Sequence, residues 1–347
     1  MKKIAIVTDA WHPQINGVVT TLTRTVRDLI DFGYQVKMIT PEQFRTIRCP
    51  TYPEISLALV GPKAVAKELF AFKPNCVHIA TEGPLGWAAR SVCKQLRFTF
   101  TTSYHTRFPE YLRMRWPVPL RLTYMIVKAF HNAASNTMVA TKVLMQELHS
   151  RGFTNVALWS RGVDTELFKP GRKDIISSGR PVFMYVGRVA VEKNIDAFLG
   201  LDLPGTKYVI GDGPARNSLS RKYPEVCFTG YRTGQELRDL FAAADVFVFP
   251  SRSDTFGVVL LEAMASGVPV AAYPVTGPIE TVQNGVNGYL DQDLRRAALN
   301  ALTVSPRSCR EFAGRYSWKS CSRQFLDNLV IHDQPLLANL NLNLTRH

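Results

Sequence analysis

The chain reads as an α/β protein with two doubly wound parallel sheets, and three observations lead there. Short apolar runs rich in Val, Ile and Phe alternate with helix-forming stretches from Ile4 to Ala271. That rhythm is interrupted by a polar link, Lys169-Pro170-Gly171-Arg172-Lys173-Asp174 followed by Ser177-Ser178-Gly179, and then resumes. A length of 347 residues suffices for two domains of ordinary size.

In the first half the spacing predicts strands at Ile4–Thr8, Val36–Thr40, Val77–Ala80, Phe98–Thr102, Met138–Ala140 and Val156–Trp159. Helices are predicted at Thr20–Phe32, Ala64–Phe72, Gly86–Gln95, Leu120–His131 and Lys142–Ser150. The second half repeats the alternation, with strands at Val182–Val186, Tyr208–Ile210, Val226–Thr229, Val246–Phe249 and Val268–Ala271. Strands separated by helices favour parallel sheets, whose ligands sit beyond the carboxyl ends of the strands. The polar link divides the chain after residue 170, leaving 171–315 and a closing stretch 316–347 on its far side. The Asn/Leu-biased run Asn339–Asn343 reads as a frayed end.

Composition excludes several classes. With 46% hydrophobic and 20% charged residues the chain is globular, not disordered. No apolar run approaches the roughly 20 residues of a membrane span. Met1-Lys2-Lys3 before Ile4–Val7 stops at Thr8-Asp9 and reads as a first strand, not a signal peptide. The six cysteines are scattered without metal-ligand spacing, so a reduced, cytoplasmic setting is expected. A net charge of +14 points to an anionic partner, whether nucleic acid, membrane surface or phosphorylated ligand.

The stretch Pro250–Val270 concentrates the chemistry. After the apolar run Val246–Phe249 comes a polar turn with Asp254, then Phe256-Gly257 opening a helix that contains Glu262. Asp254 and Glu262 can accept hydrogen bonds from two sets of hydroxyls, while amides around Gly257, Val258 and Val259 offer positive dipole to an anion. The pair alone favours the plainer reading, an exposed cap at Asp254 and a solvated Glu262. Arg188 and Lys193, after the strand ending at Val186, supply a planar fork and a point charge suited to a diphosphate, or else form a basic surface. Gly17, in the loop before the helix at Thr20, could let backbone approach a phosphate at that helix's N-terminus, though alone it reads as an ordinary loop glycine. His105, just past a strand end, is a ligand contact or a structural histidine. Gly211-Asp212-Gly213-Pro214 makes a tight turn, and Tyr231 follows a strand in a loop whose backbone could read a base edge.

Taken in order, Asn16-Gly17-Val18, His105, Gly187-Arg188 with Glu192-Lys193, Gly211-Asp212-Gly213-Pro214, and Asp254 with Glu262 resemble the retaining glycosyltransferases of family 4. The resemblance runs from about Ile4 to about Phe325. Asp254-Thr255-Phe256-Gly257, with Tyr104-His105-Thr106 and Arg161-Gly162-Val163-Asp164, is most similar to the bacterial α-mannosyl-, glucosyl- and glucuronosyltransferase branch. It implies the GT-B fold: two Rossmann-like domains facing a cleft, the first for acceptor and the second for nucleotide-sugar. A C-terminal helix, introduced by Tyr316-Ser317-Trp318, would cross back to the first domain.

The resemblance implies roles. Arg188 and Lys193 would hold the donor diphosphate with amides near Val258 and Val259, and Glu262 the ribose hydroxyls. Asp254, where the family more often has Glu, would hold hydroxyls of the transferred sugar, with Phe256, Gly257, Gly211 and Tyr231 completing the donor site. His105 would bond the sugar near its reacting carbon, and Gly17 would line the phosphate, with Asn16 in place of a commoner glycine. The implied reaction is transfer of a hexose from a UDP- or GDP-linked donor to a hydroxyl with retention. No cofactor is expected, and no Asp-x-Asp pair is read as a metal motif, so protein cations take the place of a divalent ion.

The stretch Tyr104–Tyr124 interleaves Arg107, Arg113, Arg115 and Arg121 with Phe108, Tyr111, Leu112, Met114, Trp116 and Leu120. Such a mixture suits an anionic bilayer, or a helix whose apolar side is core. The expectation is a peripheral enzyme at the inner face of the cytoplasmic membrane, glycosylating a lipid such as diacylglycerol. Rival readings are transfer to a soluble sugar or polysaccharide, a nucleotide-sugar epimerase of the same fold, and a nucleic-acid binder. The last is disfavoured because the chain has no recognised module and its basic residues are spread over both halves.

Overall fold

A computed structural model describes residues 1–14, 16–49, 52–177 and 179–336, with backbone alone at 49, 52–55 and 115. The chain forms two compact units: Met1–Ser160 with the chain from Cys321 onward, and Arg161–Ser320. The polar link Lys169–Asp174 therefore lies within the second unit. Its Pro and Gly mark an exposed loop, where Arg172 pairs with Asp174 at 2.6 Å and Lys173 reaches the carbonyl of Ala244. Asn339–Asn343 falls outside the described residues.

The first unit runs β1 (Lys3–Val7), α1 (Gly17–Asp31), β2 (Gln35–Ile39), β3 (Thr46–Cys49), β4 (Tyr52–Ala58), α2 (Pro62–Phe72), β5 (Cys76–Ile79), α3 (Pro84–Gln95) and β6 (Phe100–Ser103). It continues with α4 (Phe108–Arg115), α5 (Leu120–His131), β7 (Thr137–Val139), α6 (Lys142–Ser150) and β8 (Val156–Leu158). The sheet order is β2-β1-β5-β6-β7-β8, all parallel, with β3 and β4 as a separate antiparallel pair.

The second unit runs β9 (Val182–Val186), α7 (Ile195–Leu199), β10 (Thr206–Ile210), α8 (Arg216–Lys222), β11 (Cys227–Gly230), α9 (Gly234–Ala243) and β12 (Val246–Phe249). Then come α10 (Val258–Ala265), β13 (Val270–Ala272), α11 (Thr276–Thr281), β14 (Gly288–Leu290), α12 (Leu294–Ala301) and α13 (Pro306–Ala313). The last helix, α14, spans Trp318–Asn328. The second sheet is also parallel, in the order β11-β10-β9-β12-β13-β14. Every residue of β9 and β12 is buried, as befits strands covered on both faces.

Each sheet reverses its strand order once, between β1 and β5 in the first unit and between β9 and β12 in the second. Loops leaving two such strands diverge to opposite faces and open a crevice at their carboxyl ends. In the first unit α14 contributes Phe325, fully buried with its ring 4.7 Å from Trp159 and 4.8 Å from His78. Asn328 Nδ2 donates to the carbonyl of Leu158 at 2.7 Å. No described helix is long and apolar enough to cross a membrane.

Candidate active site

In the second unit the reversal point gathers most of the sequence-predicted donor residues. Arg188 and Lys193 leave β9, and Asp254 and Gly257 leave β12, the two strands that flank the crevice. Backbone bonds tie the neighbouring loops together. Gly187 N donates to Ile210 O at 3.0 Å, Val189 N to Asp212 O at 2.8 Å, and Gly211 N to Gly230 O at 2.9 Å. Gly211 is needed here: its φ is +138°, and a Cβ would stand 1.9 Å from the carbonyl oxygen of Gly187. The hydroxyl of Tyr185 donates to the Arg188 carbonyl at 2.9 Å, steadying the half-buried Arg188 loop.

A 3₁₀ turn at Val191–Lys193 then brings this loop against the one after β12. Asn194 Nδ2 donates to Pro250 O at 3.0 Å and Ser253 Oγ to Glu192 O at 3.2 Å. Between these two fastenings, Lys193 Nζ meets Asp254 Oδ1 at 2.6 Å, with the side chains 20% and 18% exposed. Residues 61 positions apart thus form one ion pair. The other carboxylate oxygen, Asp254 Oδ2, is buried and accepts no hydrogen bond among the described residues. Such an oxygen can take a donor hydroxyl.

α10 begins directly after this pair. Gly257 caps it in the left-handed conformation, φ 83°, and contributes no side chain to the first-turn amides of Val258 and Val259. Glu262 lies on α10, half-buried, and Phe256 is buried with its ring 6.4 Å from Tyr316. Tyr231 follows the edge strand β11 and is 43% exposed. Asp212 pairs with Arg216 at 3.0 Å.

An Asp-x-Asp run does occur, at Asp291-Gln292-Asp293, and it is already engaged. Asp293 caps α12 by accepting from Arg295 N at 2.9 Å and Arg296 N at 3.2 Å. Asp291 pairs with Arg296 at 2.5 Å, which holds its carboxyl below the usual aspartate range.

The first unit treats its own reversal point differently. Asp9, just after β1, accepts from Leu85 N at 2.9 Å, Gly86 N at 3.3 Å and Thr81 Oγ1 at 2.8 Å, filling the N-terminus of α3 with the protein's own carboxylate. Burial pushes the Asp9 carboxyl pKa up, against the lowering effect of those hydrogen bonds. The sequence reading passed over Asp9, whose only signal was its place one residue past a strand end. Gly17 is the first residue of α1, and a Cβ there would meet nothing within 4 Å. Asn16 caps this helix, its Oδ1 accepting from Val18 N and Val19 N at 3.0 Å each. His105 is 9% exposed and sits edge-on to Trp159, ring centres 5.6 Å apart. Gly17 and His105 thus belong to the first unit, and Arg188, Lys193, Asp254 and Glu262 to the second.

Arg107, expected among the surface cations, is instead 12% exposed and turned onto Glu147 and, at 3.7 Å, Glu110. Tyr111 and Leu112 are half-buried, and Leu120 packs against the cluster of Tyr124, Val127 and Leu144. Both acids that draw Arg107 inward are helical, one on α4 and one on α6.

Comparison with known proteins agrees with this architecture. Residues 15–167 match the model for "Glycosyltransferase Family 4" and residues 180–304 that for "Glycosyl transferases group 1". A GDP-mannose-dependent alpha-mannosyltransferase of Corynebacterium glutamicum is 30% identical over 83% of this chain and 76% of its own length. An alpha-monoglucosyldiacylglycerol synthase of Streptococcus pneumoniae is 25% identical over 88% of this chain and 79% of its own. The solved structure of sucrose-phosphate synthase from Thermosynechococcus elongatus superposes with a TM-score of 0.75 at 22% identity, covering 94% of this chain and 98% of that one. The fold and the family matches together define a glycosyltransferase of GT-B architecture. The chain belongs to glycosyltransferase family 4.

Proposed function

We propose that this protein is a retaining hexosyltransferase that moves a sugar from a UDP- or GDP-linked donor to a hydroxyl of a membrane lipid such as diacylglycerol, without a metal ion. The observation that carries the reading is the Lys193–Asp254 pair, held by two fastenings between the loop that carries Arg188 and the loop that leads into α10.

The difficult step is departure of a diphosphate from an oxocarbenium-like carbon. Arg188, Lys193 and the amides of Val258 and Val259 act where that negative charge develops, and fixed groups do so without reorganising. Glu262 takes the ribose hydroxyls. Asp254 plays two parts: Oδ1 holds Lys193 in place and Oδ2 accepts a hydroxyl of the sugar. A phosphate oxygen of the leaving group receives the acceptor proton on the same face, so no separate base is required. The lipid acceptor finds support in the similarity to a synthase whose name specifies diacylglycerol.

The test is a screen of UDP- and GDP-hexoses with diacylglycerol and simple sugars as acceptors, read by product mass and anomeric configuration. An α-linked glycolipid is expected. Transfer to simple sugars alone would replace the acceptor, and conversion of donor without acceptor would favour an epimerase.

A further inference from the structure

A buried chain of polar groups in the first unit ends on the ligand side of its sheet. His131, the last residue of α5, is fully buried, with its ring centre 5.7 Å from that of Tyr104 and 6.0 Å from that of Phe153. Its Nδ1 lies 2.9 Å from Thr102 Oγ1, which lies 3.0 Å from Thr137 Oγ1. Its Nε2 lies 2.8 Å from Glu82 Oε1, and because a carboxylate only accepts, the ring donates here. The chain is thus rooted in β6 and β7, and its outer end is Glu82, three residues past β5.

That end stands where a doubly wound sheet holds its ligand. β5 is one of the two strands at the reversal point of the first sheet. Its loop is packed on the loop after β1: Asp9 N donates to Thr81 Oγ1 at 2.7 Å, and a Cβ on Gly83 would stand 2.4 Å from Asp9 Cγ. Asp9 occupies the first amides of α3, so these are closed to an anion. Glu82 is engaged on one side only. Oε1 is tied to His131, whereas Oε2 makes no hydrogen bond among the described residues, and the side chain keeps 15% of its surface open. Fastening α5 to the sheet requires no more than the bond of His131 to Thr102. A carboxylate beyond it, with one oxygen fixed and the other open, is an acceptor prepared for a hydroxyl.

We propose that Glu82 binds a non-reacting hydroxyl of the acceptor, so that the acceptor is a polyol rather than a lipid with a single hydroxyl. The inference rests on the glycosyl transfer proposed above and names its acceptor class. In that reaction the attacking hydroxyl gives its proton to the departing phosphate, so it does not also donate to a carboxylate. Glu82 takes a second hydroxyl. Diacylglycerol has one only, whereas a sugar, free or carried on a lipid, supplies another beside the first. The negative charge of Glu82 also disfavours a phosphorylated acceptor. His131 touches no substrate and is a positioning residue: it fixes the Glu82 side chain and is itself held by Thr102.

The test is steady-state transfer by the full chain to diacylglycerol, to glucosyl-diacylglycerol and to glucose, with donor hydrolysis and urea unfolding measured alongside. Wild type, Glu82→Gln, His131→Gln and the double variant are compared. Glu82→Gln keeps an oxygen for His131 and turns the open oxygen into a donor. Wild type is expected to favour glucosyl-diacylglycerol over diacylglycerol at least tenfold in kcat/KM, and Glu82→Gln to lower that preference at least tenfold. His131→Gln should lower it too, yet add nothing in the Glu82→Gln background, whatever it does to stability. Wild type that uses diacylglycerol equally well, or a preference kept within threefold in Glu82→Gln, would overturn the proposal and leave glycosyl transfer standing. A selective loss seen with glucose, where neither lipid accepts, would support the polyol site and remove only the lipid from the reading above. Donor turnover that none of the three acceptors accelerates would overturn both.

Discussion

Replacing Lys193 by alanine separates the chemical from the structural role of its ion pair. Lys193 Nζ lies 2.6 Å from Asp254 Oδ1, each side chain about one-fifth exposed. A pair so placed falls between a surface bridge, worth roughly 0–1 kcal/mol, and a buried one, whose breaking costs about 3–5 kcal/mol. A stability loss of about 1–3 kcal/mol is therefore expected from Lys193→Ala, much of it because Asp254 is left with no countercharge and its Oδ2 already lacks a partner. Turnover should fall further. Removing a fixed donor from a developing anion costs on the order of 10²–10⁴ in rate, or about 2.7–5.5 kcal/mol in barrier. Adding Asp254→Asn removes the stranded charge, so the double variant should regain stability without regaining turnover. Urea unfolding and steady-state donor hydrolysis measure the two effects. Turnover of Lys193→Ala within about threefold of wild type would refute the assignment of Lys193 to the diphosphate.

Three further perturbations test other parts of the account. Gly211→Ala would drive a Cβ to 1.9 Å from the Gly187 carbonyl at a φ of +138°, so about 2–4 kcal/mol of stability and at least tenfold in donor affinity should be lost; unchanged values would show that the loop after β10 does not support the Arg188 loop. His78 is wholly buried between Thr101 Oγ1 at 2.9 Å and Ser103 Oγ at 2.8 Å, and burial lowers its pKa to about 3. The folded chain keeps it neutral while the unfolded chain takes up a proton below about pH 6.5, so its contribution is intact above 6.5 and lost as pH falls towards 3. About 2 kcal/mol should go between pH 6.5 and 5, and His78→Gln should flatten that slope; equal slopes in the two proteins would contradict this. Asp9→Ala strips two hydrogen bonds from the first-turn amides of α3 and one from Thr81 Oγ1 and should lower stability by about 2–4 kcal/mol in urea unfolding, whereas a change under about 0.5 kcal/mol would mean that another group takes over the cap.

Where hydrophobic period and helix formers agreed, the sequence located elements to the residue: α5, α6, β9 and β12 begin and end where the spacing places them. Agreement was poorest where an element is short or its neighbours are remote. β14 has three residues, too few for a period, and its pairing with β13 is a tertiary fact. β3 and β4 pair antiparallel, and in the sequence prolines at 50 and 53 break the alternation that would announce the strands. The candidate site was legible as residue types after strand ends, because a doubly wound sheet puts ligand residues there. Its pairing was not. Nothing local to Lys193 or Asp254 tells that loops 61 residues apart are fastened by Asn194 and Ser253.

The same limit explains the two faces of α5. Leu122, Met125 and Ile126 share the helix with Tyr124, Val127 and Phe130, and composition alone cannot say which stripe meets solvent. Arg107 likewise looks like its neighbours in sequence, and only the fold turns it onto Glu147. The contrast between the two sheets is legible only in space. One reversal point is filled by Asp9, and its counterpart in the second unit is flanked by Arg188 and Lys193.

That contrast defines the most direct measurement. ³¹P NMR titration of UDP and of GDP into wild type, Arg188→Ala and Lys193→Ala reports whether a diphosphate is held, and by which groups, without requiring the sugar or the acceptor. The account expects one of the two nucleotides to bind wild type with a shifted β-phosphate resonance and each variant to bind at least tenfold more weakly. Equal affinity in all three proteins would contradict it.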